Sequence, residues 1–301
     1  MISQILGGVM LAYLAAGLLF LAALLWSSPR LKSFALGLLG GALAAQTLAF
    51  FARWVASYNQ AVIATPQLGW VNKFQLIIHQ VPLSNFYESL VFFSWCLACL
   101  TLLFLYRYTE SFLGVVGGLL ASLVLAYASL GTDSSIKPLM PALKSNWLLI
   151  HVITCFLGYA AFGLAFGAGL LYLIQAYTAH PKNPAPPLMD RLIYRAAVIG
   201  FIFLTLGILT GAVWAETAWG RYWSWDPKET ASLITWFIYA ALLHARLVKG
   251  WQGRPIAWLA VVGFAKIMKT SASALGCPFQ TGAGACAPRL FKDENTGESS
   301  R

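Results

Sequence analysis

The sequence predicts an all-α protein, a polytopic membrane helix bundle with seven full transmembrane helices and a truncated eighth. Three observations carry that prediction. Of the 301 residues, 59% belong to the apolar set and only 10% are charged, where a soluble domain runs near half apolar and a quarter charged. Mean hydropathy is +0.71. Third, the apolar residues gather into runs of about 20, the length a helix needs to cross a hydrocarbon core. An ordinary water-soluble globule is excluded.

The runs fall at roughly 5 to 26, 34 to 56, 86 to 106, 112 to 130, 147 to 177, 194 to 216 and 229 to 247. The first is read as a retained helix, because it lacks a basic n-region and is longer than a signal-peptide core requires. Cys96 and Cys99 form a C-x-x-C inside the third run. A redox pair wants a helix N-terminus at a wet surface, so buried small residues are the better account. An eighth run begins at Ile256 and gives ten residues before Lys266 and Lys269 interrupt it. That is half a span.

A net charge of +10, from 20 Lys+Arg against 10 Asp+Glu, can signal a nucleic-acid partner. Here the charges sit in short gaps between apolar runs, which points to topology control and to no nucleic acid. One side collects Arg30, Lys32, Arg107, Lys182, Arg191, Arg195, Arg246, Lys249 and Arg254; the other collects Arg53, Lys73, Lys137, Lys144, Arg221 and Lys228. The N-terminus and the connections after the second, fourth and sixth helices are therefore expected to face away from the cytoplasm.

Five of the twelve Trp, at 214, 219, 223, 225 and 236, fall within one such outer connection and its flanks. Interfacial anchoring explains scattered Trp, but this density suits a flat apolar ligand with a large π face. Heme fits, and so does an aromatic lipid or a quinone. Asp226, Pro227 and Glu229 also read as Ncap, N1 and N3 of the next helix. Arg221 and Lys228 are either solvated loop charges or partners for heme propionates.

The four histidines can be weighed singly. His180 lies in a Pro-rich inner connection and reads as a solvated linker residue. His244 lies within the seventh helix, where an ionisable side chain is a functional candidate by default, with Ala240 and Ala241 leaving space on its face. His151 opens the fifth helix at the outer surface, one turn after Trp147, with Cys155 and Gly158 below it on the same face. It is a credible iron ligand. His79, in an outer connection, is either a simple loop residue or a further ligand.

Trp219-Gly-Arg-Tyr-Trp-Ser-Trp-Asp-Pro-Lys-Glu-Thr230, followed by Leu-Ile-Thr-Trp and His244-Ala-Arg, resembles the WWD signature of the CcsA (ResC) family of System II cytochrome c biogenesis. Pro82-Leu-Ser-Asn-Phe-Tyr-Glu-Ser-Leu and Lys144-Ser-Asn-Trp-Leu-Leu-Ile-His-Val resemble two more family segments. System I heme handlers share the Trp-rich loop but differ after Trp-Asp. The resemblance implies a component of a cytochrome c heme-lyase complex, working with a ResB-type (CcsB-like) membrane subunit. It would deliver heme b, as substrate, to the Cys-x-x-Cys-His motif of apocytochrome c on the outer side of the membrane. It implies His151 as the first external heme ligand, His244 as the ligand of a transmembrane heme, and Trp219, Trp223, Trp225 and Asp226 as the loop that cradles heme. No residue takes a catalytic role, because attachment needs orientation of thiol to vinyl more than a protein nucleophile.

The implied organisation is residues 1–74 as N-terminal transmembrane helices, 75–265 as the cytochrome c assembly core with the Trp-rich outer loop 214–230, and 266–301 as an aberrant tail, frameshifted or disordered. Family members carry a second external histidine in that last region, whereas no histidine follows His244 here. The expectation is a five-coordinate external iron or weak heme retention, and a chain that is not the length of an intact member. The Pro-Leu-Ser-Asn and Asp-Pro-Lys-Glu-Thr wording looks most like plastid and cyanobacterial members. A thylakoid membrane is therefore expected, and otherwise a bacterial plasma membrane. Two other readings compete: a multi-span small-molecule transporter subunit with a Trp-anchored outer loop and proton-relaying histidines, and an inactive remnant.

Overall fold

The computed structural model describes residues 2–64, 77–78, 80–83, 85–135, 145–178 and 187–275. Eight helices are described: α1 (Ile2–Leu25), α2 (Pro29–Ala64), α3 (Phe86–Tyr108), α4 (Ser111–Gly131), α5 (Asn146–Thr178), α6 (Pro187–Trp219), α7 (Pro227–Val248) and α8 (Arg254–Leu275). The first seven are long and apolar enough to cross a membrane. No strand occurs among the described residues, so the expected all-α membrane bundle is what the chain forms. Backbone polar groups in hydrocarbon must be satisfied within the segment, and helices achieve this.

Two boundaries differ from the apolar runs. α2 extends to Pro29 and Ala64, well past the run at 34 to 56, and beyond that run Ser57 donates to Gln80 Oε1 at 2.9 Å instead of ending the helix. α8 continues through Lys266 to Leu275, so the change of sequence character after Ala265 lies inside a helix. Helical geometry does not need apolarity, and α8 falls outside the seven spans.

Neighbouring elements pack sequentially. α1 lies against α2 and α4, α4 against α3, α3 against α5, α5 against α6 and α8, and α7 against α8 and α6. Lipid tails supply no hydrophobic drive between helices, so close approach through small residues holds the bundle. A Cβ at Gly118 would stand 3.0 Å from the Tyr13 carbonyl oxygen of α1, and one at Gly158 3.0 Å from the Leu204 amide of α6. Buried polar groups are bridged between helices. Tyr13 donates to Gln46 Oε1 at 2.6 Å, and Gln46 Nε2 donates to the Val91 carbonyl at 2.9 Å. Cys96 is buried and Cys99 half-buried, both as thiols within α3.

The contacts sort the connections into two ends. At one end Lys32 donates to the Thr109 carbonyl, Arg195 to the Tyr108 hydroxyl, and Arg246 pairs with Asp190 at 2.6 Å while Gly253 N donates to the same carboxylate. These are members of the Lys/Arg-rich set. At the other end Arg53 pairs with Glu88 at 2.9 Å and donates to the Ser134 carbonyl, and Arg53 and Glu88 are both buried. The Trp-rich loop leaves from this second end.

Candidate functional site

The loop between α6 and α7 owes its shape to the start of α7. Asp226 is the N-cap, with Oδ1 accepting from Lys228 N at 2.7 Å and Glu229 N at 2.8 Å, and Pro227 follows at N1. Glu229 completes the capping box by accepting from Asp226 N, and it also accepts from Ser224 N at 2.7 Å. The acidic pair thus grips residues 224 to 226 from inside. This leaves Trp225 in the left-handed region at φ 59, a strained conformation for a bulky side chain. At the far side Gly220 takes φ 72, and its N–H donates to the Glu216 carbonyl at 2.8 Å.

The tryptophans form two edge-to-face pairs and no single flat wall. Trp214 and Trp219 have ring centroids 6.2 Å apart at 83°, and Trp223 and Trp225 have theirs 5.8 Å apart at 85°. Their quadrupoles favour this arrangement. Trp219 and Trp225 are 64% and 70% exposed. Trp223 is half-buried, and its Nε1 is buried with no hydrogen-bond acceptor among the described residues. A buried indole N–H usually finds a partner, so this loop carries an unused donor suited to a carboxylate. Arg221, Tyr222 and Lys228 stand exposed around it.

His151, in the second turn of α5, faces α6. Its Nδ1 is 2.7 Å from the Gly207 carbonyl oxygen. A carbonyl only accepts, so Nδ1 carries the proton and Nε2 keeps its lone pair. That is the tautomer and the anchoring found in metal-ligating histidines. The ring fits because α6 presents Gly207 and Gly211 one turn apart: a Cβ at Gly211 would sit 2.5 Å from His151 Nδ1, and one at Gly207 2.5 Å from Cys155 Sγ. Cys155 and Gly158, the small residues below His151 on its face, leave no space for a guest. That space is filled by the backbone of α6, and the small residues serve helix contact.

His244 is on a different level and a different surface. Trp236 Nε1 donates to Thr205 Oγ1 at 2.9 Å, which sets residue 236 of α7 beside the region of α6 that holds His151. Eight residues further along α7, at a rise of about 1.5 Å each, His244 lies roughly 12 Å toward the other end. His151 is turned into the contact between α5 and α6, so the structure does not bring the two imidazoles together. His244 is exposed, on a stripe with Ile234, Phe237, Ala241 and Val248. It makes no hydrogen bond within the described residues, and the expected space beside Ala240 and Ala241 opens onto the outside of the bundle. His79 and His180 lie outside the described residues.

Sequence reasoning missed the Gly207/Gly211 seat of His151, although the G-x-x-x-G spacing in an apolar run was its signal. It also missed the Arg53–Glu88 pair. Nothing in the local sequence around either residue points to the other, 35 positions away. Among the described residues no three His, Cys, Asp or Glu converge as a metal cluster.

An apolar helical bundle with a braced, Trp-rich loop at one end and an oriented imidazole in the helix pair leading to it defines a polytopic membrane protein with one elaborated end. Comparison with known proteins gives the family. Residues 83–269 match the Cytochrome C assembly protein family, and the chain belongs to that family, in its CcsA branch. It is 45% identical over 195 residues to the cytochrome c biogenesis protein CcsA of Chlamydomonas reinhardtii, covering 61% of this chain and 55% of that one. It is 41% identical over 217 residues to CcsA of Mesostigma viride and 38% identical over 245 residues to CcsA of Synechococcus sp. (strain JA-3-3Ab), spanning 71% of each. The chain thus spans little more than half of the first relative. Among solved structures, cytochrome c heme lyase CcmF shares the fold, with a TM-score of 0.66 and 20% identity over 88% of this chain and 45% of that one.

Proposed function

We propose that the chain is the heme-handling subunit of a membrane-bound cytochrome c synthase, with heme b as substrate. The observation that carries this is the seating of His151: Nδ1 committed to the Gly207 carbonyl and Nε2 left to bind iron, against α6, the helix that leads into the Trp loop. His151 holds the external heme, and Trp219, Trp223 and Trp225 enclose its face and exclude water. Trp223 Nε1, helped by the cations Arg221 and Lys228, takes a propionate. Asp226 contributes by fixing the loop, since its Oδ1 is already shared between two amides. Apocytochrome c then brings its two thiols to the exposed vinyl edge. Each S–H adds across a C=C, sulfur to one carbon and hydrogen to the other, with no net oxidation, so the chain's task is orientation.

His244 serves a second heme within the membrane. An imidazole exposed to hydrocarbon is costly unless something covers it, and a ResB-type subunit together with that heme is the natural cover. The loop faces the thylakoid lumen, or the periplasm in a bacterial plasma membrane, as the Lys/Arg asymmetry and the plastid and cyanobacterial relatives support. The test is the heme content and absorption spectrum of the protein purified with its partner. His151→Ala and His244→Ala should each remove one heme, and the double variant both. Wild-type heme content in the double variant would sink the proposal, and loss of both hemes in either single variant would refute the two separate sites.

A further inference from the structure

We propose that the groove between α1 and α2, far from the Trp loop, binds a glycerolipid with an anionic headgroup. The groove is an open trough of about 860 Å³, lined by small residues, Gly8 and Ala12 on α1 with Gly37, Gly41 and Ala45 on α2, and Arg30 is also in its lining. These glycines differ from those that seat a neighbouring helix, and they share their open surroundings with Gly7 and Gly40 on the same two helices. Positions 17, 114 and 118 are filled by neighbouring helices, whereas a Cβ at Gly8, Gly37 or Gly41 would meet nothing within 4 Å. Their smallness serves no contact within the described chain.

Charge and length identify the occupant. Lys32 is committed to the Thr109 carbonyl, but Arg30 is exposed and makes no ion pair or hydrogen bond among the described residues. It sits in the first turn of α2, where the helix end adds partial positive charge. Fifteen residues separate Arg30 from Ala45, so the groove runs about 22 Å along α2. One leaflet with its headgroups is about 20–22 Å thick, half of the full bilayer. A guanidinium at headgroup level and an apolar trough one leaflet deep match an acidic headgroup and its acyl chain, and basic pockets between helices recognise such lipids. A partner's transmembrane helix could use the small residues, but it would have to bring its own acid to the level of Arg30.

The experiment reconstitutes the full chain in phosphatidylcholine vesicles carrying a trace of phosphatidylglycerol or of phosphatidylcholine, each with the same photoreactive acyl chain, and maps the labelled peptides. The phosphatidylglycerol probe should label residues 34–45 several-fold more than the phosphatidylcholine probe. Arg30→Gln should reduce that preference about fivefold, the factor one cation gives at an anionic surface, and Arg30→Lys should restore most of it. Gly37→Leu with Gly41→Leu should exclude both probes; if that variant fails to fold by helical circular dichroism, the Arg30 pair decides. Equal labelling by the two probes in the wild type, unchanged labelling in the filled groove, or displacement of both probes by a co-purified protein chain overturns the proposal. Heme content plays no part in this readout, so failure here leaves the heme reading standing.

Discussion

Gly211→Ala is the sharpest perturbation the structure offers, because it reaches His151 without altering a ligand. The new methyl would stand 2.5 Å from Nδ1 and 2.7 Å from Cε1 of the imidazole, so the ring must turn out of its seat and give up the bond to the Gly207 carbonyl. Overpacking costs about 1–3 kcal/mol and the lost hydrogen bond about 0.5–1.5 kcal/mol. Stability therefore falls by a few kcal/mol at most. The larger effect is on iron: loss of the group that orients a ligating histidine weakens metal affinity about 10–100-fold. Gly200→Ala is the matched control, since its methyl would collide with the Phe162 ring on the same helix pair but does not touch His151. The assay is heme titration in a His244→Ala background, so that only the external site reports. Gly211→Ala should bind 10–100-fold more weakly than Gly200→Ala; equal affinities in the two variants would refute the seating argument.

Other substitutions test the surroundings. Asp226→Ala should lower thermal stability by about 0.5–2 kcal/mol through the lost cap, while Asp226→Ser, which still caps, should keep both stability and heme; loss of heme in the serine variant would make the carboxylate a direct contact. Trp223→Phe removes a buried donor that the protein itself does not use, so stability without heme should hold or rise. Heme affinity should fall by the roughly 10–100-fold that about 1.5–3 kcal/mol of charged hydrogen bond represents, and unchanged affinity would remove the propionate role. Arg53→Met or Glu88→Leu alone should cost about 3–5 kcal/mol by stranding a buried charge, and the double variant should recover most of it; thermal melts in detergent give both values, and additive losses would show the ion pair to be incidental.

How much was legible in the sequence depends on the range of the interaction. The seven spans and the cap at Asp226-Pro-Lys-Glu229 are local patterns, readable because apolar length and capping chemistry need only neighbouring residues. The family was legible for the same reason, through an uninterrupted string at 219 to 230. The partner of His151 was not, since Gly207 lies 56 positions away and only the packing of α5 on α6 brings it near. Small residues under His151 looked like space for a ligand because a sequence cannot distinguish a glycine that makes room for a guest from one that admits a neighbouring helix. The reverse error was avoided at Asp226, where the cap and the ligand reading could be stated side by side and the hydrogen bonds favour the cap.

The bracing of residues 220–226 also bears on turnover. Fixing a flexible residue costs about 1–2 kcal/mol, and in this loop the Asp226–Glu229 clasp and the paired indoles have met that cost during folding, before any cargo arrives. A surface that is already ordered does not collapse when the cargo leaves and need not be rebuilt for the next one. Affinity then comes from contact and not from induced order, so it can be set low enough for release. In the proposed role of handing heme on, a receiver that resets without rearrangement keeps successive deliveries independent of one another.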